Sequence, residues 1–220
     1  MKSKFFTVLF VMLFPLLAVA GSYEDLEEAF FRNDSAAVVR LIERGIDINT
    51  VDRQGNTLLI QAVQRDLMPL FDYLLQHRAR LNIYNQHGET ALSLAAYQGK
   101  EAYARRLIEE GAELNYYGWA PLSYAAYNGH ASIAEYLLEH GADVNGITGN
   151  GSSALFFAAR FGHIDTVKLL LKYQADPNII NENNETAVDW ALKGKNTDIE
   201  SILRSAGGRS GQSVTLDLTK

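Results

Sequence analysis

Cysteine is absent from all 220 residues. No disulfide can staple the fold, no thiolate can serve as nucleophile or metal ligand, and no lipid can be carried on a cysteine. Stability must therefore come from packing. Positive charge is also scarce, with 20 Lys and Arg against 26 Asp and Glu and a formal net charge of −6. Nucleic-acid binding relies on Lys and Arg to displace counterions, and docking on anionic lipid relies on the same groups, so neither is expected. The five histidines, His77, His87, His130, His140 and His163, show no metal-ligand spacing. No metal and no cofactor is expected.

Long apolar runs are missing except at the start. Lys2 and Lys4 precede an apolar run from Phe5 to Leu17 that only Thr7 interrupts, and Ala18-Val19-Ala20 follows as a small-residue cleavage site. The run is shorter than the roughly 20 residues that a membrane span needs. The pattern predicts an export signal over residues 1–20, cleaved to leave Gly21 as the new N-terminus, with no membrane insertion afterwards. Loss of Lys2 and Lys4 leaves 18 basic and 26 acidic side chains, a net of −8. A short signal before a cysteine-free helical chain predicts a periplasmic location in a bacterium. The 47% hydrophobic content supplies a continuous core and argues against disorder.

The remainder repeats one phrase. Gly88-Glu89-Thr90-Ala91-Leu92-Ser93-Leu94-Ala95-Ala96 is echoed by the segments from Gly118 to Ala126 and from Gly151 to Ala159, and more faintly from Gly55 and Asn184. The turns that close the units fall at Gly45, Arg78, Gly111, Gly141, Gln174 and Gly207, at intervals of 33 residues except for one of 30. Such a period marks stacked helix pairs. Glycine suits a helix end, where the next residue turns left-handed, so Arg78 and Gln174 predict strained or differently closed turns. Paired alanines in each first helix allow close approach. The second helix is amphipathic, with Leu169, Leu170 and Leu171 predicted inward between Lys168 and Lys172.

These residues resemble the ankyrin repeat. Gly129-His130, Gly162-His163, Gly141-Ala142-Asp143-Val144-Asn145 and Ala175-Asp176-Pro177-Asn178 match its motif, and Pro121 keeps the motif proline. The resemblance implies an all-α solenoid of about six helix-turn-helix units with short β-hairpin fingers, over residues 21–208. It also implies recognition of a protein partner on a concave face rather than catalysis. The histidine two residues after the motif proline is replaced by Ile60, Ser93, Ser123, Phe156 and Asp189. Its hydrogen bond is expected to be lost, with apolar contacts in compensation. Glu24, Glu27 and Glu28 at one end, and Lys193, Lys195 and Asn196 at the other, read as polar caps.

No catalytic constellation survives inspection. Gly149-Asn150-Gly151-Ser152-Ser153 occupies an inter-repeat turn and lacks the strand and the lysine of a phosphate loop. Glu109 and Glu110 read as solvated charge. His130 and His163 begin second helices and are expected to satisfy free backbone donors there. His140 precedes a helix-ending glycine, where a partial positive charge is favourable.

The aromatics stand out. The residue after the alanine pair, or its equivalent, is Phe31, Gln64, Tyr97, Tyr127, Arg160 and Lys193 along the units. Phe161 is one residue further on, and the short finger adds Tyr116, Tyr117 and Trp119. Tyr97, Trp119, Tyr127 and Phe161 are predicted to converge, and with Tyr116 and Tyr117 they form the candidate partner-binding set. Asn115 reaches Gly118 in three residues where Asn82 takes six to reach Gly88, so a notch is predicted beside the aromatics.

The expected function is that of an exported protein-protein interaction module, monomeric when free, that neutralises a toxic enzyme in the manner of an immunity protein. The acidic, aromatic face suits a cationic partner. The alternative is an accessory scaffold for a periplasmic enzyme such as catalase, with an enzyme of unknown type as the outside alternative. Residues 209–220 read as a flexible tail in which Ser213 to Leu218 has the period of a strand, able to pair with a partner's edge. N-terminal sequencing of the protein from the cell envelope is expected to start at Gly21. Recovery of Met1 in a membrane fraction would overturn the export reading.

Overall fold

The computed structural model describes residues 23–213. The signal expected over 1–20 and the strand-period residues from Val214 onward lie outside them. Among the described residues the fold is all-α, and the chain divides after Arg80 into two compact units.

The first unit holds α1 (residues 23–31), α2 (Ser35–Glu43), α3 (Leu58–Gln64) and α4 (Met68–Gln76). Asp34 caps α2 by accepting from the Ala37 N–H at 2.9 Å, and Thr57 caps α3 by accepting from the Ile60 N–H at 3.1 Å. Leu58 to Val63 are buried on every side of α3, against Leu70, Phe71 and Leu74 of α4 in the same core. Arg65 donates to the Phe30 carbonyl at 3.0 Å, with its guanidinium 5.7 Å from the Phe30 ring centroid. Glu24, Glu27 and Glu28 are exposed.

The second unit stacks four pairs. Its inner helices are α5 (Ala91–Gln98), α7 (Pro121–Asn128), α9 (Ala154–Phe161) and α11 (Ala187–Lys193). Its outer helices are α6 (Glu101–Glu109), α8 (Ala131–Glu139), α10 (Ile164–Lys172) and α12 (Thr197–Ser205). Ala95, Ala96, Ala125, Ala126, Ala158 and Ala159 are fully buried, and each inner helix packs on the next. Leu107, Leu137, Leu170 and Leu203 fill the layer between inner and outer helices. Leu169 and Leu170 point inward, whereas Leu171 is only half-buried.

Three readings of the repeat change in detail. First, Arg78 (φ 58°) and Gln174 (φ 64°) adopt the same left-handed geometry as the glycines at Gly111 and Gly141, so the turn is conserved in shape and the strain is retained. Second, His130 and His163 do not cap their helices. Each imidazole reaches back a whole repeat, to the Tyr97 carbonyl at 3.1 Å and the Tyr127 carbonyl at 2.9 Å. The rings lie over Gly99 and Gly129, where a Cβ would overlap them. Asn196 replaces histidine in the last pair, donating to the carbonyls of Ala159 at 2.8 Å and Arg160 at 3.0 Å. Third, the hydrogen bond expected to vanish with the motif histidine is kept at two units. Ser93 Oγ accepts from the Thr90 N–H at 2.8 Å while Thr90 Oγ1 accepts from the Ser93 N–H at 3.2 Å. Asp189 likewise accepts from the Thr186 N–H at 2.9 Å. Only Ile60 and Phe156, both buried, exchange polarity for packing.

The fingers are loops rather than β-hairpins: their pairing is reduced, among the described residues, to isolated antiparallel bridges at Val51–Thr57 and Ile147–Ser153. Their register comes from asparagine. In the first unit Asn49 Oδ1 accepts from the Arg80 N–H at 2.8 Å. In the second, Asn82, Asn115, Asn145 and Asn178 accept from the N–H groups of Glu113, Asp143, Asp176 and Arg209 at 3.0, 2.7, 2.8 and 3.0 Å. The long fingers at Asp52, Asn85 and Asn181 close with an Asx turn, as where Asn85 Oδ1 accepts from the N–H groups of His87 and Glu89 at 2.9 and 3.0 Å. The short finger turns at Gly118 (φ 108°) instead.

The start of the tail is not a free linker. Besides the Asn178 bond, the Arg209 carbonyl accepts from Thr186 Oγ1 at 2.7 Å and the Gly211 N–H donates to Asp189 Oδ2 at 2.7 Å. Gly211 is buried so closely that a Cβ would overlap the Asn184 carbonyl oxygen. Residues 209–211 thus partner the polar groups of Thr186 and Asp189 at the N-terminus of α11.

Replacing Arg78 or Gln174 by glycine is expected to stabilise the protein by about 1 kcal/mol each, the cost of a side chain in the left-handed region. Leu137→Ala or Leu170→Ala is expected to cost about 2–5 kcal/mol through the cavity left behind. Urea denaturation measures both.

Candidate functional site

Each inner helix buries its alanine pair and turns the next residue onto the open side. Tyr97 (40% exposed) and half-buried Tyr127 arise this way, and Phe161 (47% exposed) stands one residue further on, after Arg160. A second column lies one helical turn earlier, at Leu94, Tyr124, Phe157 and Trp190, on the same face by helical spacing. The sequence reading missed this column. Its signal was the 33-residue spacing of Tyr124, Phe157 and Trp190.

Trp119 joins the two columns. The short finger sets it two residues before Pro121, so its indole drops onto the inner helices. Its ring lies 4.5 Å from Phe157, 5.2 Å from Tyr124 and 5.8 Å from Tyr127. Tyr124 meets Tyr97 edge-on at 5.8 Å, Tyr127 packs on Phe161 at 4.5 Å, and Phe157 meets Trp190 at 5.7 Å. A continuous band of seven rings results, with offset and edge contacts of the favourable kind. Burial pushes the Tyr124 phenol far above its usual range, so it stays neutral in the band.

The structure brings Tyr97, Trp119, Tyr127 and Phe161 together and places the two finger tyrosines elsewhere. Tyr116 packs edge-on against Tyr84 at 5.3 Å with its hydroxyl buried near Thr90 and Ser93 and no well-formed hydrogen bond; burial pushes that phenol up to about 12. Tyr117 is 79% exposed and reaches toward the next finger, where its hydroxyl lies 3.5 Å from the Gly149 carbonyl. Between these fingers is a depression of about 330 Å³ over Leu122 and Ala154, lined by Tyr116 and Tyr117 and not by the four converging aromatics beside which the notch is expected.

The band also floors a groove of about 400 Å³ among Trp119, Tyr127, Phe157, Phe161 and Trp190. Asn150, Asn183, Glu185, Arg160 and Lys193 form its rim. Glu185 is fully engaged. It accepts from Trp190 Nε1 at 2.8 Å, pairs with Lys193 Nζ, and lies 3.5 Å from Asn181 Nδ2. Partial burial opposes its ionisation, yet these donors outweigh burial and hold the carboxyl below its ordinary value. Arg160 has no ion pair among the described residues, so the groove presents one uncompensated cation on an acidic protein.

The remaining polar groups are structural. Ser152 and Ser153 are buried, Ser153 as the residue that immediately precedes α9 at its N-cap. His77 stacks on Tyr73 at 4.0 Å and His140 on Tyr136 at 4.1 Å. Among the described residues no three His, Asp or Glu side chains are grouped to hold a metal ion.

Comparison with known proteins agrees with the geometry. Family models described as ankyrin repeats (3 copies) match residues 26–116 and 59–148, and one described as ankyrin repeats (many copies) matches 137–191. The mouse (Mus musculus) B-cell lymphoma 3 protein homolog is 37% identical over 78 residues, 35% of this chain and 17% of its own length. Diacylglycerol kinase zeta of Rattus norvegicus is 36% identical over 93 residues, covering 41% of this chain and 10% of its own. The neurogenic locus Notch protein of Drosophila melanogaster is 39% identical over 90 residues, covering 40% and 3%. The match is thus confined to a small part of each relative.

Phe157→Ala, deep in the band, is expected to cost about 3–5 kcal/mol of stability, whereas Phe161→Ala on its rim costs about 1 kcal/mol or less. Thermal unfolding separates them. Because the Glu185 carboxyl is lowered in the folded state, its stabilisation is complete above the unfolded value and is lost as the pH falls through the folded one. Glu185→Gln is expected to flatten that acid limb in pH-dependent denaturation.

Proposed function

The chain belongs to the ankyrin repeat family, and from that premise we propose that it is an exported, periplasmic protein-binding module that blocks a partner enzyme. Ankyrin repeats mark a protein-protein interaction module. The observation that carries the reading is the aromatic band of the second unit, seven contacting rings of which Tyr97, Trp119 and Phe161 keep 36–47% of their surface exposed. A contiguous exposed apolar patch of this kind is uncommon on a surface without a partner, and Tyr and Trp are the side chains that dominate interface energies.

Occlusion follows from rigidity. The band sits on helices locked by buried alanines and by the His163 and Asn196 bonds between repeats, so little order is lost on binding. A preformed aromatic platform acts on a partner by covering it, as an immunity protein covers a toxic enzyme.

Capture from periplasmic extract by the mature chain, followed by mass spectrometry and assay of the captured enzyme, tests this reading. Retention of one enzyme with reduced activity is expected, and Tyr97→Ala with Phe161→Ala should weaken binding by about 2 kcal/mol or more with the fold intact. A captured enzyme such as catalase that keeps its full activity would replace inhibition by an accessory scaffold role. Capture that survives both substitutions would move the site off the aromatic band.

A further inference from the structure

We propose that the aromatic groove of the second unit is the docking site for the chain's own segment 214–220, so that partner binding at this face is regulated by displacement of an internal competitor; the regulatory part rests on the binding role proposed above.

The exit of the chain lies beside that groove. The described residues end at Ser213, two positions after Gly211, whose backbone is pressed against Asn184. Asn183 and Glu185, the two neighbours of Asn184, are rim residues of the groove. The Gly211 bond to Asp189 and the Thr186 bond to the Arg209 carbonyl hold this exit in place. Seven further residues extend at most about 25 Å, enough to cross a groove whose near rim is already in contact with the exit.

The chemistry matches as well. The segment reads Val214-Thr215-Leu216-Asp217-Leu218-Thr219-Lys220. In extended form Val214, Leu216 and Leu218 share one side and Asp217 takes the other. Three aliphatic side chains suit a floor of Phe157, Phe161, Trp119 and Trp190. The acid suits Arg160, the rim cation without an ion pair among the described residues, since Lys193 is already engaged by Glu185. An apolar, acidic, apolar strip is what this groove accepts, although the chain as a whole is acidic and would repel a generic acidic ligand at long range.

Trp119 and Trp190 are the two tryptophans of the whole sequence and both line the groove, so intrinsic fluorescence reports its occupancy directly. The full chain is compared with a chain ending at Ser213, which retains the Arg209 and Gly211 bonds. Truncation is expected to shift emission to the red and raise acrylamide quenching several-fold, with the thermal midpoint little changed. The synthetic peptide of residues 214–220 should restore the original spectrum saturably, and should fail to do so with Arg160→Ala. In the full chain, Leu216→Asp with Leu218→Asp should reproduce the truncated spectrum. Unchanged emission and quenching in both the truncated and the doubly substituted chain would overturn the proposal. So would protection that disappears on dilution together with a dimer-to-monomer transition, which would make a second copy the occupant. Partner capture separates the two readings. Capture that is equal with and without the segment, beside an unchanged spectrum, sinks the docking alone. A spectral change with no partner captured by either chain sinks the binding role and leaves the docking standing.

Discussion

The separation between neighbouring inner helices is set by alanine, and the rest of the second unit follows from that distance. Ala95, Ala96, Ala125, Ala126, Ala158 and Ala159 leave no room for a larger side chain between helices. With the backbones this close, an imidazole or carboxamide on one pair can reach a carbonyl of the pair before it. His130, His163 and Asn196 all do so. The same closeness explains why the bulky residues gather on one side. Rings excluded from the alanine seam have only the open face left, and successive units bring them within 4.5–6.3 Å of each other. A larger residue in the seam would therefore disturb the hydrogen bonds and the aromatic band together.

Much of this architecture is legible in the sequence because it is periodic. The 33-residue interval, the alanine pairs and the left-handed turns each recur, and recurrence separates them from chance. Tyr97, Tyr127 and Phe161 were found by position for the same reason. Tyr124, Phe157 and Trp190 were not, since the equivalent residue in the preceding unit is Leu94, a buried core side chain. A column that begins as core and becomes surface defeats an argument from equivalence. Tyr116 fails in the opposite sense: it follows the finger's asparagine, where the residue 33 positions earlier is Ile83, and its hydroxyl turns inward toward Thr90 and Ser93.

The long-range hydrogen bonds were the least readable feature. Histidine at a helix start invites an N-cap interpretation, which is local, whereas His130 and His163 act at a separation of 33 and 36 residues. Charge carries a similar lesson. A net of −6 describes the protein as seen from a distance. Within the groove, Glu185 is spent on Trp190 and Lys193, and the sign left over at the rim is that of Arg160. Partners are attracted or repelled by the first quantity and held by the second.

The finger that lost three residues shows how the two functions of a finger are kept apart. Asn115 still accepts from the Asp143 N–H at 2.7 Å, as firmly as Asn82 and Asn145 do in their longer fingers. The rung that fixes the register is made before the tip begins, so the tip's length is invisible to the stack. Length beyond the asparagine is thus a free variable. Residues can be removed or inserted there to raise or lower a side chain such as Trp119 over the helices, and the scaffold beneath need not change to accommodate the new reach.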